Sequence, residues 1–295
     1  MSSSIPASAT ELTAPRAVAG PPPAAPIARF LRRNPTLAVG AVCLALITAV
    51  ALGAALLGTT DPQALHPIAR LRPPSAEQWF GTDQFGRDIY SRTLYGGRIS
   101  LLVGATVSAA SLLLGVAIGL VSGYYRRADA VVMRVMDGLM AIPAILLALA
   151  LMALMRASVE NVIIALTVPE IPRVVRLVRA SVLSLREHTM VEGARAIGAR
   201  TPRILLCYIL PALVAPLIVQ GTYICASAIL FEAYLSFLGA GTPPIIPSWG
   251  NIMAEGRAYV QRAFWIILFP GAFLAVTVLA VNLVGDGLRD RLKVR

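Results

Sequence analysis

Charge is scarce in this chain of 295 residues. Charged residues make up 14% of it and hydrophobic residues 57%, whereas a soluble domain holds about 25% charged residues. This shortage excludes an ordinary cytosolic enzyme and a disordered chain. It also argues against a nucleic-acid partner despite the formal net charge of +11, because too few polar residues remain to build a basic, water-exposed face. The composition fits a polytopic membrane protein with charged cytoplasmic loops.

Lysine, histidine and cysteine are scarcer still. Lys293 is the only lysine and no glycine directly precedes it, so the chain lacks a GxxxxGK phosphate loop and does not bind ATP in that way itself. Two histidines and three cysteines supply neither a His-ligated metal centre nor a disulfide framework. We therefore expect no catalytic residue, no metal site and no cofactor on this chain, and we do not expect it to be an enzyme.

Apolar sequence is abundant and lies in long uncharged runs. Residues 1–28 are rich in Ser, Ala and Pro and predict a disordered cytosolic tail, while residues 29–295 predict one all-α membrane domain. The first run is long enough to cross a ~30 Å hydrocarbon core and too long for a cleaved signal peptide. Six transmembrane helices are predicted, at about 37–57, 101–121, 138–155, 159–178, 211–231 and 263–285.

The fourth span, 159–178, depends on charge topology rather than on hydropathy. It contains Glu170, Arg173 and two prolines, Pro169 and Pro172, and the prolines predict a break in the helix. With six spans and both termini in the cytoplasm, 18 of the 26 basic residues lie inside, as the positive-inside rule requires. Without this span, an arginine-rich loop and the basic C-terminus would both move outside. The fourth span is therefore retained.

Glu170 and Arg173 are candidates for a polar group within the membrane. They are three residues apart and can pair on one helical face. Ionised groups at this depth usually face protein or water. Two interpretations stay open: the pair lines a substrate path, or it is a compensating ion pair that tolerates a kink.

Small residues and prolines mark several of the other spans. Gly115, Gly119 and Gly123 recur at four-residue spacing, which predicts close packing of this helix against another helix. The prolines at 143, 216 and 270 predict ordinary transmembrane kinks.

A short helix is predicted between the fourth and fifth spans, at Met190–Ile197. Thr189 and Glu192 have the spacing of a capping box, and Gly198 is suited to a left-handed helix stop. Thr201 followed by a proline offers the cap of the next helix. A helix of about eight residues is unstable alone in water, so it has to dock, and Met190, Ala194 and Ile197 fall on one of its faces.

The same segment carries a resemblance to a known family. Glu192-Gly193-Ala194, then Gly198, then Leu210-Pro211 resembles the EAA–x3–G–x11–LP signature of bacterial ABC importer permeases. In that family the segment is the coupling helix, which fits a groove on the ATP-hydrolysing subunit. The resemblance assigns the ATPase-coupling role here to the six residues Met190, Glu192, Gly193, Ala194, Ile197 and Gly198. Gly193 departs from the usual alanine, which costs roughly 1 kcal/mol of helix stability.

Three further stretches resemble one subfamily. They are FGTDQFGRD at Phe80–Asp88, FLG and PSWGN within 237–251, and NLVGDGLRD at Asn282–Asp290. Together they are similar to the C-type permease subunit of dipeptide, oligopeptide and nickel importers, and the resemblance covers about residues 29–295. Its outer-loop motif contains Asp83, Gly86, Arg87, Asp88 and Trp249. From the residues alone, Asp83 and Arg87 predict a surface ion pair, and Trp249 fits the aromatic belt at the outer membrane interface.

The resemblance implies a type I importer in the bacterial cytoplasmic (inner) membrane, most simply one for short peptides. It implies a second homologous permease, two P-loop ATPase subunits that hold ATP and Mg²⁺, an extracytoplasmic substrate-binding protein and surrounding membrane lipid as partners. Alternatives are the same architecture importing nickel or another small solute, and a self-contained secondary carrier or channel. The secondary carrier would leave the short helix without a partner, and the internal repeats common in such carriers are not seen.

Overall fold

The computed structural model describes residues 35–293, so the predicted tail at 1–28 lies outside the described residues. Within the described range the regular structure is helical, apart from one isolated bridge between Thr82 and Asp88. The all-α prediction is confirmed. The principal helices are α1 (Pro35–Leu52), α2 (Ile89–Tyr124), α3 (Arg126–Met140), α4 (Ala144–Leu154), α5 (Val159–Leu185), α6 (Thr189–Ala196), α7 (Thr201–Phe237), α8 (Trp249–Gly256) and α9 (Trp265–Lys293).

Four of these helices, α1, α2, α7 and α9, are long and apolar enough to cross a membrane, and the bent pair α3–α4 makes a fifth if it is one span. Helix α5 has 27 residues and rises about 40 Å, so it is also long enough. It carries Glu170, Arg173 and Arg176 in its middle, which makes it more polar than the others. The count of six spans therefore stays a prediction that depends both on α5 and on the bent pair α3–α4 being one span.

Helix α1 ends earlier than the predicted span 37–57. Its last residue is Leu52, and a separate 3-10 turn covers Ala54–Leu56. The guanidinium of Arg98 donates hydrogen bonds to the carbonyl oxygens of Ala51 and Leu52, at 2.7 Å each. Because these bonds satisfy carbonyls left free at the helix end, the chain can turn there.

Prolines act differently in different helices. The predicted span 138–155 is not one continuous helix, and the ordinary kink predicted at Pro143 is wrong, because Pro143 separates α3 from α4 and the two helices meet at 88°. The predicted break in the fourth span is also wrong, because α5 runs through Pro169 and Pro172. Both of these prolines are buried, and packing against neighbouring helices can hold a proline-containing helix together in a membrane.

Helices α2 and α5 pack side by side along the predicted glycine stripe. A Cβ on Gly115, Gly119 or Gly123 would lie 2.4–2.7 Å from the Cβ of Val174, Val178 or Val182, respectively. The partners advance together by four residues, so the two helices run parallel. The prediction of close helix packing is confirmed, and it lies within the chain itself.

The main apolar core lies where α2, α4, α5 and α7 meet. It includes Val103 and Val107 of α2, Val162 of α5 and Ile224 of α7, all fully buried. Helix α1 packs along α9 and also contacts α2. The residues after α5, which form α6, join this same core at its cytoplasmic end in the predicted topology.

Candidate functional site

The short helix α6 begins one residue earlier than predicted. The amides of Val191 and Glu192 donate to the carbonyl oxygen of His188, at 2.9 and 3.1 Å. His188 is therefore the N-cap, Thr189 is the first helical residue, and no side chain caps this end. The predicted capping box is wrong, since Thr189 already lies inside the first turn. The next helix likewise begins at Thr201, with Arg200 rather than Thr201 as its N-cap.

The predicted end of α6 at a left-handed glycine is confirmed. Gly198 has φ +82°. Its amide donates to the carbonyl oxygen of Arg195 at 2.9 Å, and the amide of Ala199 donates to that of Ala194 at 3.0 Å. This pair of bonds is a Schellman motif, and it fixes the direction in which the chain leaves α6.

The two faces of α6 have different environments. Val191 and Ala194 are buried, and they belong to the main apolar core together with Ile204. Met190 and Ile197 are 51% and 81% exposed, so the predicted common face of Met190, Ala194 and Ile197 is wrong for Ala194. The inner face anchors α6 to its own chain, and the outer face presents two large apolar side chains to the surroundings.

Glu192 and Gly193 lie on the exposed side of α6. A Cβ on Gly193 would meet nothing within 4 Å, so the departure from alanine creates no packing defect within the chain. Arg195 places its guanidinium 5.5 Å from the ring centroid of Tyr124, which links α6 to the end of α2.

Two ion pairs hold α3 against α5. The guanidinium of Arg179 donates two hydrogen bonds to the carboxylate of Asp129, one of them at 2.7 Å. Arg176 forms a second pair with Asp137 at 2.6 Å. Only three residues separate α5 from α6. The ion pairs therefore connect α3 to the helix that directly precedes α6.

Glu170 and Arg173 form the predicted pair. A guanidinium nitrogen of Arg173 lies 3.2 Å from a carboxylate oxygen of Glu170, and Glu170 is 1% exposed. The Arg173 guanidinium is also 5.9 Å from the ring centroid of Tyr223 on α7. The pair therefore bridges α5 to α7 in the middle of the helical bundle.

Tyr223 also lines a cavity of about 540 Å³ between α5, α7 and α9, which therefore lies next to this pair. Leu177 contributes from α5. The polar groups that line it are Gln220, Thr222 and Tyr223 of α7 with Asn282, Asp286 and Arg289 of α9. Three of these residues belong to the NLVGDGLRD stretch, which the sequence patterns did not assign to any site.

The outer-loop motif forms a cluster of four charges, three of which are buried. The Asp83 carboxylate lies 2.5 Å from Arg87 and 3.4 Å from Arg92, and the Glu255 carboxylate contacts both arginines, Arg92 at 3.1 Å. Asp83, Arg87 and Arg92 are each less than 9% exposed. The prediction of a surface ion pair is wrong, because Arg92 and Glu255 enclose it.

Two other motif residues shape the loop that leads into α2. Asp88 is the N-cap of α2 and accepts from the amide of Ser91 at 2.9 Å. Gly86 has φ +76°, and a Cβ there would lie 1.9 Å from the carbonyl oxygen of His66. Both residues therefore have structural roles in this loop.

Trp249 does not lie in an aromatic belt, as predicted, but is fully buried at the start of α8. Its indole N–H donates to the carbonyl oxygen of Thr93 at 2.9 Å. Ser248 caps α8 and also donates to Glu232, which is 0% exposed and accepts from Ser236 as well. The sequence patterns missed Glu232, although a single acid directly after a long uncharged run was a visible signal.

Comparison with known proteins identifies relatives along nearly the whole chain. Residues 111–295 match the family described as "Binding-protein-dependent transport system inner membrane component". A putative peptide transport system permease protein of Brucella abortus is 47% identical, over 97% of this chain and 98% of that protein. The dipeptide transport system permease protein DppC of Alkalihalophilus pseudofirmus is 42% identical, over 89% and 86%.

Among solved structures, the MetNI methionine ABC transporter in an inward-facing conformation contains a similar chain. The TM-score is 0.56 at 19% sequence identity, with 68% of this chain and 95% of that chain covered. At this identity the likeness concerns the fold alone.

Proposed function

Because the chain belongs to the family of binding-protein-dependent transport system inner membrane components, we propose that it is one permease subunit of an ATP-binding-cassette importer for short peptides. The relatives named above for peptide and dipeptide transport support this substrate class. They also span nearly the same length as this chain. The chain carries out no covalent chemistry, and the energy comes from ATP and Mg²⁺ on separate subunits.

The observation that carries the proposal is the two-faced helix α6. Its inner face, Val191 and Ala194, lies in the core, while Met190 and Ile197 extend outwards from an eight-residue helix with a defined end. Exposed apolar side chains beside a fixed turn are suited to a groove on a partner protein. We infer that α6 docks on a P-loop ATPase subunit in the cytoplasm, where both chain termini also lie.

The packing of α6 supports a route for ATP-driven motion. Movement of α6 pulls on α5 directly, since three residues separate them, and on α2 through Arg195 and Tyr124. The glycine–valine contacts make α2 and α5 move as one unit, and the ion pairs of Arg176 and Arg179 add α3. Rigid elements with discrete arrangements suit switching of this kind.

The remaining assembly follows from the same reasoning. A second, homologous permease completes the translocation path. Arg173 lines this path on this side, and the buried Glu170 holds Arg173 in place. An extracytoplasmic substrate-binding protein docks on the outer loops, whose four-charge cluster keeps them rigid. The outer-loop motif thus acts by positioning the docking surface rather than by touching the substrate.

The proposal is tested by Glu192→Arg in the complete reconstituted transporter. The reversed charge sits on the exposed face of α6 and is expected to abolish peptide-stimulated ATP hydrolysis and uptake while the permease still inserts. Glu77→Arg, an exposed acid on the outer loop, is the matched control and should leave ATPase association intact.

Unchanged coupling in Glu192→Arg would overturn the assignment of α6. Uptake of Ni²⁺ but not of di- or tripeptides by the unmodified transporter would overturn the substrate class. Uptake by this chain without any P-loop ATPase would overturn the importer assignment and favour a self-contained carrier.

A further inference from the structure

The cavity between α5, α7 and α9 is built from regular faces of two long helices. On α9 its lining residues Asn282, Gly285, Asp286 and Arg289 follow the spacing i, i+3, i+4 and i+7, which places them on one helical face. Gln220 and Tyr223 of α7 line the opposite side. A cavity of about 540 Å³ lies within the range of roughly 300–1,000 Å³ typical of small-molecule sites.

The lining combines apolar side chains with polar ones, at a depth where the rest of the bundle is apolar. Gln220 and Asn282 lie within α7 and α9, which are apolar enough to span the membrane. Polar and ionisable groups in such helices are costly unless they face protein or water. Hydrocarbon chains of lipids offer these groups no hydrogen bonds, so a lipid-filled cavity would leave them unsatisfied.

The charges in and beside the cavity have both signs. Asp286 and Arg289 line it from α9, and the Glu170–Arg173 pair adjoins it through Tyr223. The amides of Gln220 and Asn282 each supply both donors and acceptors. A ligand that carries an ammonium group, a carboxylate and at least one amide would match this set of groups.

We propose that this cavity is a binding site for the peptide in transit, which rests on the proposed function of peptide import. Asp286 binds the ammonium terminus, Arg289 binds the terminal carboxylate, and Gln220 and Asn282 bond to the amide between them. The permease then contributes substrate recognition of its own, on the cytoplasmic half of the path.

Water access is tested first, by cysteine substitution in the complete transporter. The three native cysteines are replaced by serine, and Gln220→Cys is exposed to a charged, thiol-specific reagent in inside-out vesicles. We expect labelling, and we expect dialanine to slow it. Leu279→Cys is the control, because Leu279 is 59% exposed on α9 but does not line the cavity, and a lipid-facing thiol should not react.

Recognition of the termini is tested next, with Gln220→Cys as the reporter. Asp286→Asn is expected to raise the dialanine concentration that halves the labelling rate by about tenfold, the loss of one charge-assisted hydrogen bond. Asp286→Asn should leave this concentration unchanged for N-acetyl-dialanine, which has no ammonium group. Arg289→Gln should raise the concentration for dialanine but leave it unchanged for dialanine amide, which has no carboxylate. Asp290→Asn, one residue beyond Arg289 and outside the cavity, is the control.

The outcomes separate the two proposals. An unmodified transporter that takes up no di- or tripeptide contradicts the proposed function. A transporter that imports dialanine but leaves Gln220→Cys unlabelled contradicts only the binding site, and a second permease filling the cavity then accounts for the polar side chains that line it. Labelling that dialanine slows equally in Asp286→Asn, Arg289→Gln and the control also overturns the site.

Discussion

Substitution of Gly119 tests the contact between α2 and α5 at its centre. An alanine Cβ there would lie 2.7 Å from the Cβ and 2.9 Å from the Cγ1 of Val178, and 3.1 Å from the carbonyl oxygen of Val175. Carbon atoms prefer about 3.5–4.0 Å, so the helices have to separate by roughly 1 Å. Overpacking of this kind costs about 1–3 kcal/mol.

The assay for Gly119→Ala is thermal unfolding of the purified transporter, together with peptide-stimulated ATP hydrolysis. We expect the midpoint to fall by several degrees, at about 2–4 °C per kcal/mol, and the stimulation to fall with it, because α2 no longer follows α5. Gly138→Ala on α3 is the matched control. A Cβ there meets nothing within 4 Å, so the gain in helix propensity should leave the midpoint equal or higher.

A double substitution distinguishes a local clash from an unrelated effect. Val178→Gly removes the side chain that Gly119→Ala would meet, so the two changes together should cost less than the sum of their separate costs, by about 0.5–3 kcal/mol. An unchanged midpoint in Gly119→Ala, or strict additivity with Val178→Gly, would refute the account of α2 and α5 as one rigid unit.

Two further predictions concern the turn after α6 and the charge cluster of the outer-loop motif. Gly198→Ala places a Cβ on a left-handed residue at a cost of about 1–2 kcal/mol and should reduce peptide-stimulated ATP hydrolysis. Gly193→Ala on the same segment should not reduce it, because its Cβ meets nothing within 4 Å. Equal effects of the two substitutions would contradict the role of the turn. Asp83→Asn leaves Arg87 and Arg92 with one carboxylate and should lower the free energy of unfolding by about 3–5 kcal/mol. Glu77→Gln is the control, and a thermal midpoint of Asp83→Asn no lower than that of Glu77→Gln would show that the cluster does not stabilise the outer loops.

Local chemistry accounts for the features that the sequence predicted well. The stop at Gly198, the Glu170–Arg173 pair and the glycine stripe of α2 each depend on residues within one turn or at a fixed helical spacing. Thr189 shows the limit of such patterns. Its spacing to Glu192 suits a capping box, but the amides of Val191 and Glu192 bond to the carbonyl of His188 instead, and this shifts the cap by one residue.

Features that depend on distant contacts were not predictable in this way. Asp83 and Arg87 are four residues apart, but their burial depends on Glu255, which lies 168 residues from Arg87. Glu232 finds Ser248 only because α8 folds back towards α7. Prolines likewise have no fixed effect, since the exposed Pro143 separates two helices, whereas Pro169 is buried within one continuous helix.

The sharp turn at Pro143 has a consequence for how the chain enters the bilayer during synthesis. Helix α4 has 11 residues and rises about 16 Å, roughly half of the ~30 Å hydrocarbon thickness. It is too short to be retained in lipid as an independent segment, while α5 is long enough but carries charges in its middle.

Packed together, α4 supplies apolar surface and α5 supplies the length to cross the membrane. Ala148 and Met152 of α4 are buried in the same cluster as Val162 and Ala165 of α5, so the apolar surface of α4 covers the N-terminal half of α5. We therefore expect the two to leave the translocon together as a helical hairpin. In this order of events α4 enters the bilayer only after α5 has been synthesised.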